Sequence, residues 1–332
     1  MAELGLDIGS TSIKLIKLNG KKVEKIYAVA NPVGKVLIDL DAEAVKVAEA
    51  IKVMLNTNKV TDTKFNVVVP DGLVYSRVIQ LPILSDAELG SAIKWEAEQY
   101  VPVPLEEVEL TWEVVDRPGR KTGEEKMGVY LVAASKKLIN ALVNVFTKAG
   151  IEPDRIEPEL VPVSRAVIFG KQLSGGVMLC HMGASGVSLG VFLNEKLLFV
   201  YRFGSGGVTL TKVISSSLQL PMNQAEEYKR SYGARADLLE GKLLSAMVPV
   251  LNGLTTEIKR AVSYYTQQYP QERLNKIIIT GGVALMPGLV EWMTKQLGVE
   301  VSVGDPFVGY QVDPNFGKLG SVYAPALGAV IE

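Results

Sequence analysis

The chain has 332 residues, 48% of them hydrophobic, which is enough to bury a large core over two or more domains and excludes a disordered protein. Lys plus Arg number 35 and Asp plus Glu 36, so at a formal net charge of -1 no global field draws in a nucleic-acid backbone or an anionic bilayer. A single Cys, Cys180, and a single His, His181, exclude a disulfide framework, a zinc cluster and most His-based proton-transfer schemes, and fit a reducing compartment.

The N-terminus lacks a basic segment followed by an apolar stretch, and no apolar run approaches the roughly 18 to 20 residues needed to span a bilayer. A cytoplasmic protein without direct membrane insertion is expected. Residues 4–8 and 13–18 are apolar runs split by Gly9-Ser10-Thr11-Ser12, which predicts a hairpin whose turn has little side-chain bulk. A third strand is expected near 23–30. Residues 41–55 carry apolar side chains at helical spacing, and Val67-Val68-Val69 reads as a buried strand stopped by Pro70-Asp71-Gly72.

From Val74 a strand ends at Gln80-Leu81-Pro82, and a helix capped by Ser85 or Asp86 runs to about Tyr100, where Val101-Pro102-Val103-Pro104 halts it. Strands near 109–115 and 128–134 flank a charged loop, Arg117–Lys126. A helix over 135–149, closed by Gly150, leads into 151–157. These elements predict an inserted α+β unit at 78–157 between a first lobe at 1–77 and a second at 158–332.

After a helix near 160–169 the opening pattern recurs. Apolar strands at 177–181 and 187–193 are split by Met182-Gly183-Ala184-Ser185-Gly186, and 197–203 adds a third strand. A repeated hairpin-first unit implies two related lobes that face each other. Helices dominate 209–269, Lys276–Thr280 is a strand running into Gly281-Gly282, and residues 324–330 form a small-residue helix.

A nucleotide polyphosphate needs backbone N–H groups close to its oxygens, and small residues in tight turns permit that approach. Gly9 to Ser12 and Gly183 to Gly186, with Ala184 between, suit it. Asp7, two residues before Gly9, is placed to hold Mg²⁺ against phosphates, and Lys14 on the returning strand to neutralise their charge. One such hairpin alone is most simply an ordinary tight turn; two of them, with a strand running into Gly281-Gly282, reduce that reading. ITGGVALMPGL, residues 279–289 and including Met286, lets backbone pass flat against a nucleoside at Gly281 and Gly282, with a plain strand-to-helix turn as the alternative.

On GLDIGSTSIKL, CHMGASGVSLG, RFGSGGVTLTKVI, TEIKRAVSYY, ITGGVALMPGL and APALGAV the chain resembles the actin, Hsp70 and sugar kinase superfold. Within that superfold, IQLPILSDAELGSAIKWEAEQYVPVPLEEVELTWEVVD and GDPFVGYQVDP resemble the PilM family of type IV pilus assembly, of which FtsA is a relative.

The resemblance implies an α/β actin-like ATPase fold: two duplicated ribonuclease H-like lobes around a nucleotide cleft, with the inserted α+β subdomain called 1C. It also implies an outer subdomain at about 208–275 and a C-terminal helix packing back on the first lobe. The implied cofactors are ATP and Mg²⁺. Gly9, Ser10, Thr11 and Ser12 would contact phosphates, Gly206 and Gly207 the phosphate and ribose end, and Lys259, Arg260 and Ser263 the adenine. Glu157 would stand beside the γ-phosphate as the candidate catalytic residue.

The implied partner is the N-terminal cytoplasmic tail of the membrane protein PilN, received in a groove beside 1C, with pilus assembly or retraction ATPases and self-association as further contacts. That places the protein in the cytoplasm, peripheral to the inner membrane. Ile79, Leu81, Ile83 and Leu84 line such a groove or are ordinary core. The alternatives are an FtsA-like filament-forming ATPase, disfavoured because no amphipathic helix follows APALGAV, and a small-molecule kinase. His181 stands where most relatives carry a second Mg²⁺-associated Asp, and a neutral imidazole is a poor ligand for a hard cation. Slow hydrolysis is therefore expected, with His181 a hydrogen-bonded cleft residue and Cys180 buried core.

Overall fold

Two five-stranded sheets of one design carry the two lobes. The computed structural model describes residues 3–34, 41–117 and 126–331. The first lobe opens with β1 (Glu3–Ile8), β2 (Ser12–Asn19) and β3 (Lys22–Ala30), followed by α1 (Asp41–Thr57) and β4 (Lys64–Val69). Next come β5 (Val74–Pro82), α2 (Asp86–Tyr100), β6 (Val108–Asp116), β7 (Lys126–Ser135), α3 (Lys136–Ala149) and β8 (Glu152–Pro158). After α4 (Leu160–Val167) the second lobe runs β9 (Gly176–Met182), β10 (Val187–Leu193), β11 (Lys196–Phe203), α5 (Gly207–Leu218), α6 (Met222–Tyr232) and α7 (Lys242–Gln268). It closes with β12 (Leu274–Thr280), α8 (Leu289–Leu297), β13 (Glu300–Val303), α9 (Pro314–Gly317) and α10 (Gly320–Gly328).

The strand orders are β3-β2-β1-β4-β8 and β11-β10-β9-β12-β13. In each sheet two antiparallel pairs precede two parallel ones, so the repeat read in the sequence is a repeat of topology.

Alternation along β1 sends Leu4, Leu6 and Ile8 into a core with α1 (Val47, Ala48, Ile51) and α3 (Leu142, Val145, Phe146). Its other face bears Gly5 and Asp7. A Cβ on Gly5 would collide with the carbonyl of Ala326 in α10, and one on Gly328 with that of Pro162 in α4. These glycines let α10 press on both the first sheet and α4, so the chain crosses between lobes as two packed helices.

The inserted unit is smaller than the 78–157 expected from the sequence. Its sheet, β5-β7-β6, spans Val74 to Ser135 and packs Ile79, Leu81, Met127, Val129 and Leu131 under Leu89, Ile93 and Ala97 of α2. α3 stripes its apolar face onto the first-lobe core, and β8 pairs in parallel with β4. Both belong to the first lobe, a fact decided by nonlocal pairing. The capping box of Ser85 and Glu88 starts α2 as the sequence suggests. Residues 118–125 of the charged loop lie outside the described residues.

Candidate functional site

Asp7 and Lys14 are direct cross-strand partners in the β1–β2 ladder, so both side chains leave the sheet on the face opposite Leu6. Lys14 Nζ donates to Asp7 Oδ2 at 2.7 Å, with the side chains 11% and 4% exposed. A Cβ on Gly9 would stand 2.9 Å from the carbonyl oxygen of Ser12 and 3.5 Å from Lys14 Nζ, so only glycine leaves the turn open. Buried Asn31 ties the loop from behind: its Nδ2 donates to the Gly9 carbonyl at 2.9 Å and its backbone N–H to that of Thr11 at 3.0 Å.

Across the cleft the β9–β10 ladder pairs His181 with Ser188. The turn between these strands sits on the start of α5, where Gly207 N donates to the Gly183 carbonyl at 3.0 Å and Val208 N to that of Ala184 at 2.9 Å. A Cβ on Gly206 would lie 2.5 Å from both Ala184 O and Gly186 N. Behind the turn, Gly281 at φ +86° passes the backbone of Met182, and its N–H donates to the Ser321 carbonyl of α10 at 3.0 Å.

The two turns face one another across a cleft of about 680 Å³. Asp7, Gly9, Ser10, Thr11, Ser12 and Lys14 line one wall, and Gly183 to Gly186 with Gly207 the other. Met222, Glu226, Lys229 and Arg230 of α6 form the floor, with Gly281, Gly282, Leu285 and Met286 at the back.

Between the two hairpins lie three ionisable groups, His181 and Asp71 buried and Glu159 half-buried. His181 Nδ1 bonds Thr280 Oγ1 at 3.0 Å, and burial, with the Lys14 charge, lowers its pKa to about 3, so the ring is neutral. Ser188 Oγ donates to Glu159 Oε1 at 3.0 Å. Burial, then the charges of Asp71 and Asp7, push Glu159 well above the usual carboxylate range. Asp71 rises to about 6 through burial, against the pull of Ser188, the Leu160 N–H and the Arg202 charge.

α6 carries a second polar cluster. Lys229 Nζ donates to Glu226 Oε2 at 2.6 Å, Thr211 Oγ1 at 2.9 Å and the Gly207 carbonyl at 3.0 Å. Arg230 Nε donates to Glu226 Oε1 at 2.8 Å. Burial pushes the Glu226 pKa up, but its bonds to Lys229, Thr211 and Arg230 outweigh that and hold it low.

The cleft therefore gathers Asp7, Gly9, Ser10, Thr11, Ser12, Lys14, Gly183, Ala184, Gly207, Gly281, Gly282 and Met286. Other expected site residues fall elsewhere. Gly206 packs behind the second turn rather than lining the cleft. Glu157 is taken by ion pairs with Arg165 and, at 3.1 Å, Arg155; of these two glutamates it is Glu159 that lines the cleft. Lys259, Arg260 and Ser263 line a separate open depression, because α7 buries Leu254, Ile258, Ala261 and Tyr265 and turns these three outward. The α6 residues were readable as an i, i+3, i+4 cluster of Glu226, Lys229 and Arg230. Asn31 left no comparable trace.

Ile79 and Leu81 are core at 4% exposure each, and Leu84 packs on the same cluster, so they form no groove. A second cavity of about 340 Å³ lies where the first lobe, the inserted unit and β11 meet. Asp71, Tyr75, Arg77, Tyr100, Tyr201 and Arg202 are among its walls. Asp71 is 6% exposed, and its Oδ2 makes no hydrogen bond among the described residues.

No helix among the described residues is long and apolar enough to cross a membrane. Compared with known proteins, residues 5–324 match the family described as type IV pilus assembly protein PilM. A solved PilM–PilN type IV pilus biogenesis complex superposes with a TM-score of 0.86 at 25% identity, covering 98% of this chain and 97% of that one. The cell division protein FtsA of Streptococcus pneumoniae is 22% identical over 91% of this chain and 75% of its own. MreB5 of Spiroplasma citri, crystallised with AMPPNP, shares the fold at a TM-score of 0.57 and 11% identity over 99% of this chain and 94% of that one.

Proposed function

The chain belongs to the PilM family of type IV pilus assembly proteins, and from that premise we propose that it is a nucleotide-binding scaffold of the pilus assembly complex at the cytoplasmic face of the inner membrane, where it holds the N-terminal tail of PilN. The observation that carries this reading is the pair of glycine turns facing each other across one cleft, with Asp7 and Lys14 on one rim.

The residues fit ATP with Mg²⁺. Gly9 and Gly183 leave backbone open where a larger side chain would stand, with Ser10 beside them in the cleft wall, which suits phosphate oxygens. Among the described residues no group of three or more His, Cys, Asp or Glu converges on a metal, so Mg²⁺ at Asp7 would draw its other ligands from phosphate and water. Ionised Glu226 would accept from a ribose hydroxyl, and Met222, Leu285 and Met286 would offer apolar walls to the base. When bound, ATP supplies a triphosphate that both lobes grip, and binding energy of that kind stabilises the folded, closed arrangement by mass action.

Fast hydrolysis is not expected. Burial and the charges of Asp71 and Asp7 bias Glu159 toward its protonated form, and the neutral His181 ring is engaged by Thr280. Neither is poised as a base, and His181 offers Mg²⁺ no oxygen. The PilM–PilN complex supports PilN as partner. Its tail suits the second cavity, where an extended peptide meets the Asp71 carboxyl, the Arg77 guanidinium and tyrosine walls.

Calorimetry on the full chain tests the reading: ATP with Mg²⁺ binds, a synthetic PilN-tail peptide binds, and turnover stays far below about 1 per second. Ordinary ATPase turnover would defeat the scaffold reading, and a peptide that fails to bind in any nucleotide state would remove the partner.

A further inference from the structure

The two cavities share Arg202, which lines both. It stands on β11 directly opposite Ser188, the hydroxyl that bonds Glu159. Its guanidinium lies over two glycines, one from each lobe. A Cβ on Gly72 would come 2.5 Å from its Cζ and Nη2, and one on Gly186 would come 3.0 Å from Nη2. A side chain at Gly72 would push it aside, whereas one at Gly186 would meet the Phe203 carbonyl first, at 2.7 Å. Among the described residues the guanidinium makes no hydrogen bond and no ion pair, and its charge is felt by Asp71 in the second cavity.

A guanidinium with five unengaged donors, beside a turn suited to phosphate, is matched to a terminal phosphoryl group, which it can grip with two parallel hydrogen bonds. The same group also neutralises part of the second cavity. Drawn fully onto a phosphate in the cleft, it neutralises the second cavity less.

We propose that Arg202 reads the terminal phosphate of the bound nucleotide and thereby couples the cleft to the second cavity, so that the tail peptide binds more tightly when a triphosphate is present. This rests on the reading above that nucleotide fills the first cavity and peptide the second. With the guanidinium drawn to phosphate, Asp71 in the wall of the second cavity loses its neighbouring cation, and a peptide N–H or ammonium gains there. Linkage makes the effect reciprocal: the peptide tightens triphosphate binding by the same factor.

The test is calorimetry of the synthetic tail peptide on the full chain with AMPPNP, with ADP and with no nucleotide, in the native protein and in Arg202→Gln and Arg202→Lys. In the native protein the peptide Kd is expected to be about fivefold lower with AMPPNP than with ADP, a coupling within the usual allosteric range. Arg202→Gln reduces that ratio to near 1, and Arg202→Lys, with charge but no fork, keeps part of it. Thermal melts of the variants establish that they fold. Equal peptide Kd in native protein with AMPPNP and ADP overturns the coupling alone, as does a ratio that survives Arg202→Gln. A peptide that binds native protein in no state overturns the partner reading and the coupling with it.

Discussion

In the first glycine hairpin the residue two before the leading glycine is Asp7, opposite Lys14 on the returning strand; in the second it is His181, opposite Ser188. The backbones are alike because each turn is shaped by glycine and by the parallel strand beside it. The equivalent side chains differ in charge. One pair is a buried ion pair at 2.7 Å, and the other is a neutral ring held by Thr280 next to a hydroxyl held by Glu159. Duplication thus fixed the geometry of the grip and left its electrostatics free to diverge, so the first lobe carries the charge that meets a metal–phosphate ligand.

The strongest way to break this comparison is Asp7→Ala. Removing one partner leaves Lys14 buried and uncompensated, and breaking a buried pair in this manner typically costs about 3–5 kcal/mol. Urea denaturation at pH 7.5 is expected to show a loss of that size, together with weakened Mg²⁺-dependent ATP binding. A loss below about 1 kcal/mol would mean that the pair is effectively solvated, as surface pairs are.

Asp71→Asn probes the carboxyls between the hairpins and has the opposite sign. Asp71 has its pKa raised from 3.8 to about 6, so its favourable contribution is complete below 3.8 and is lost as pH rises through about 6. Asparagine keeps the shape without the charge. Stability at pH 7.5 should increase by about 3 kcal/mol, and the gain should vanish below about pH 4. His181 runs the other way: neutral in the fold until about pH 3 but ionising at about 6.5 when unfolded, it favours folding above 6.5 and loses that contribution as pH falls toward 3. Denaturation curves at several pH values separate the two, and a gain from Asp71→Asn that does not depend on pH would refute the charge argument.

His181→Asp sharpens the comparison by giving the second hairpin the acid of the first. Without ligand it adds a carboxylate near Glu159 and lowers stability. With Mg²⁺ present it is expected to tighten ATP binding by about 1 kcal/mol, roughly fivefold in Kd. Unchanged Mg²⁺ dependence in calorimetry would show that position 181 does not face the metal.

The duplicated sheets were readable because both hairpins, and the glycines that open them, are local patterns. The limits of the inserted unit were not, since whether β8 pairs with β4 or β7 is decided by contacts between distant segments. Glu157 and Glu159 differ by two residues, and only the turn from β8 into α4 decides which enters the cleft. Asn31 acts through the carbonyls of Gly9 and Thr11, twenty or so residues upstream, and nothing in the spacing reveals it.

The smallest effect belongs to Lys259→Ala. The two lobes differ not only in their hairpins but in the helices beyond the second one, where α6 and α7 each present a basic pair, Lys229-Arg230 and Lys259-Arg260. Helical phase separates them. α6 buries Ala225 and Lys229 and aims Glu226 and Arg230 along the cleft, whereas α7 buries Leu254, Ile258 and Ala261 and leaves Lys259 outside. Replacing Lys259 removes no buried contact, and surface changes of this kind usually fall within about 0.5 kcal/mol. ATP affinity in calorimetry should therefore stay the same for Lys259→Ala, while Lys229→Ala, which frees Glu226 and Thr211, should weaken it. A matching loss in the Lys259 variant would mean that α7, not α6, forms the nucleoside wall.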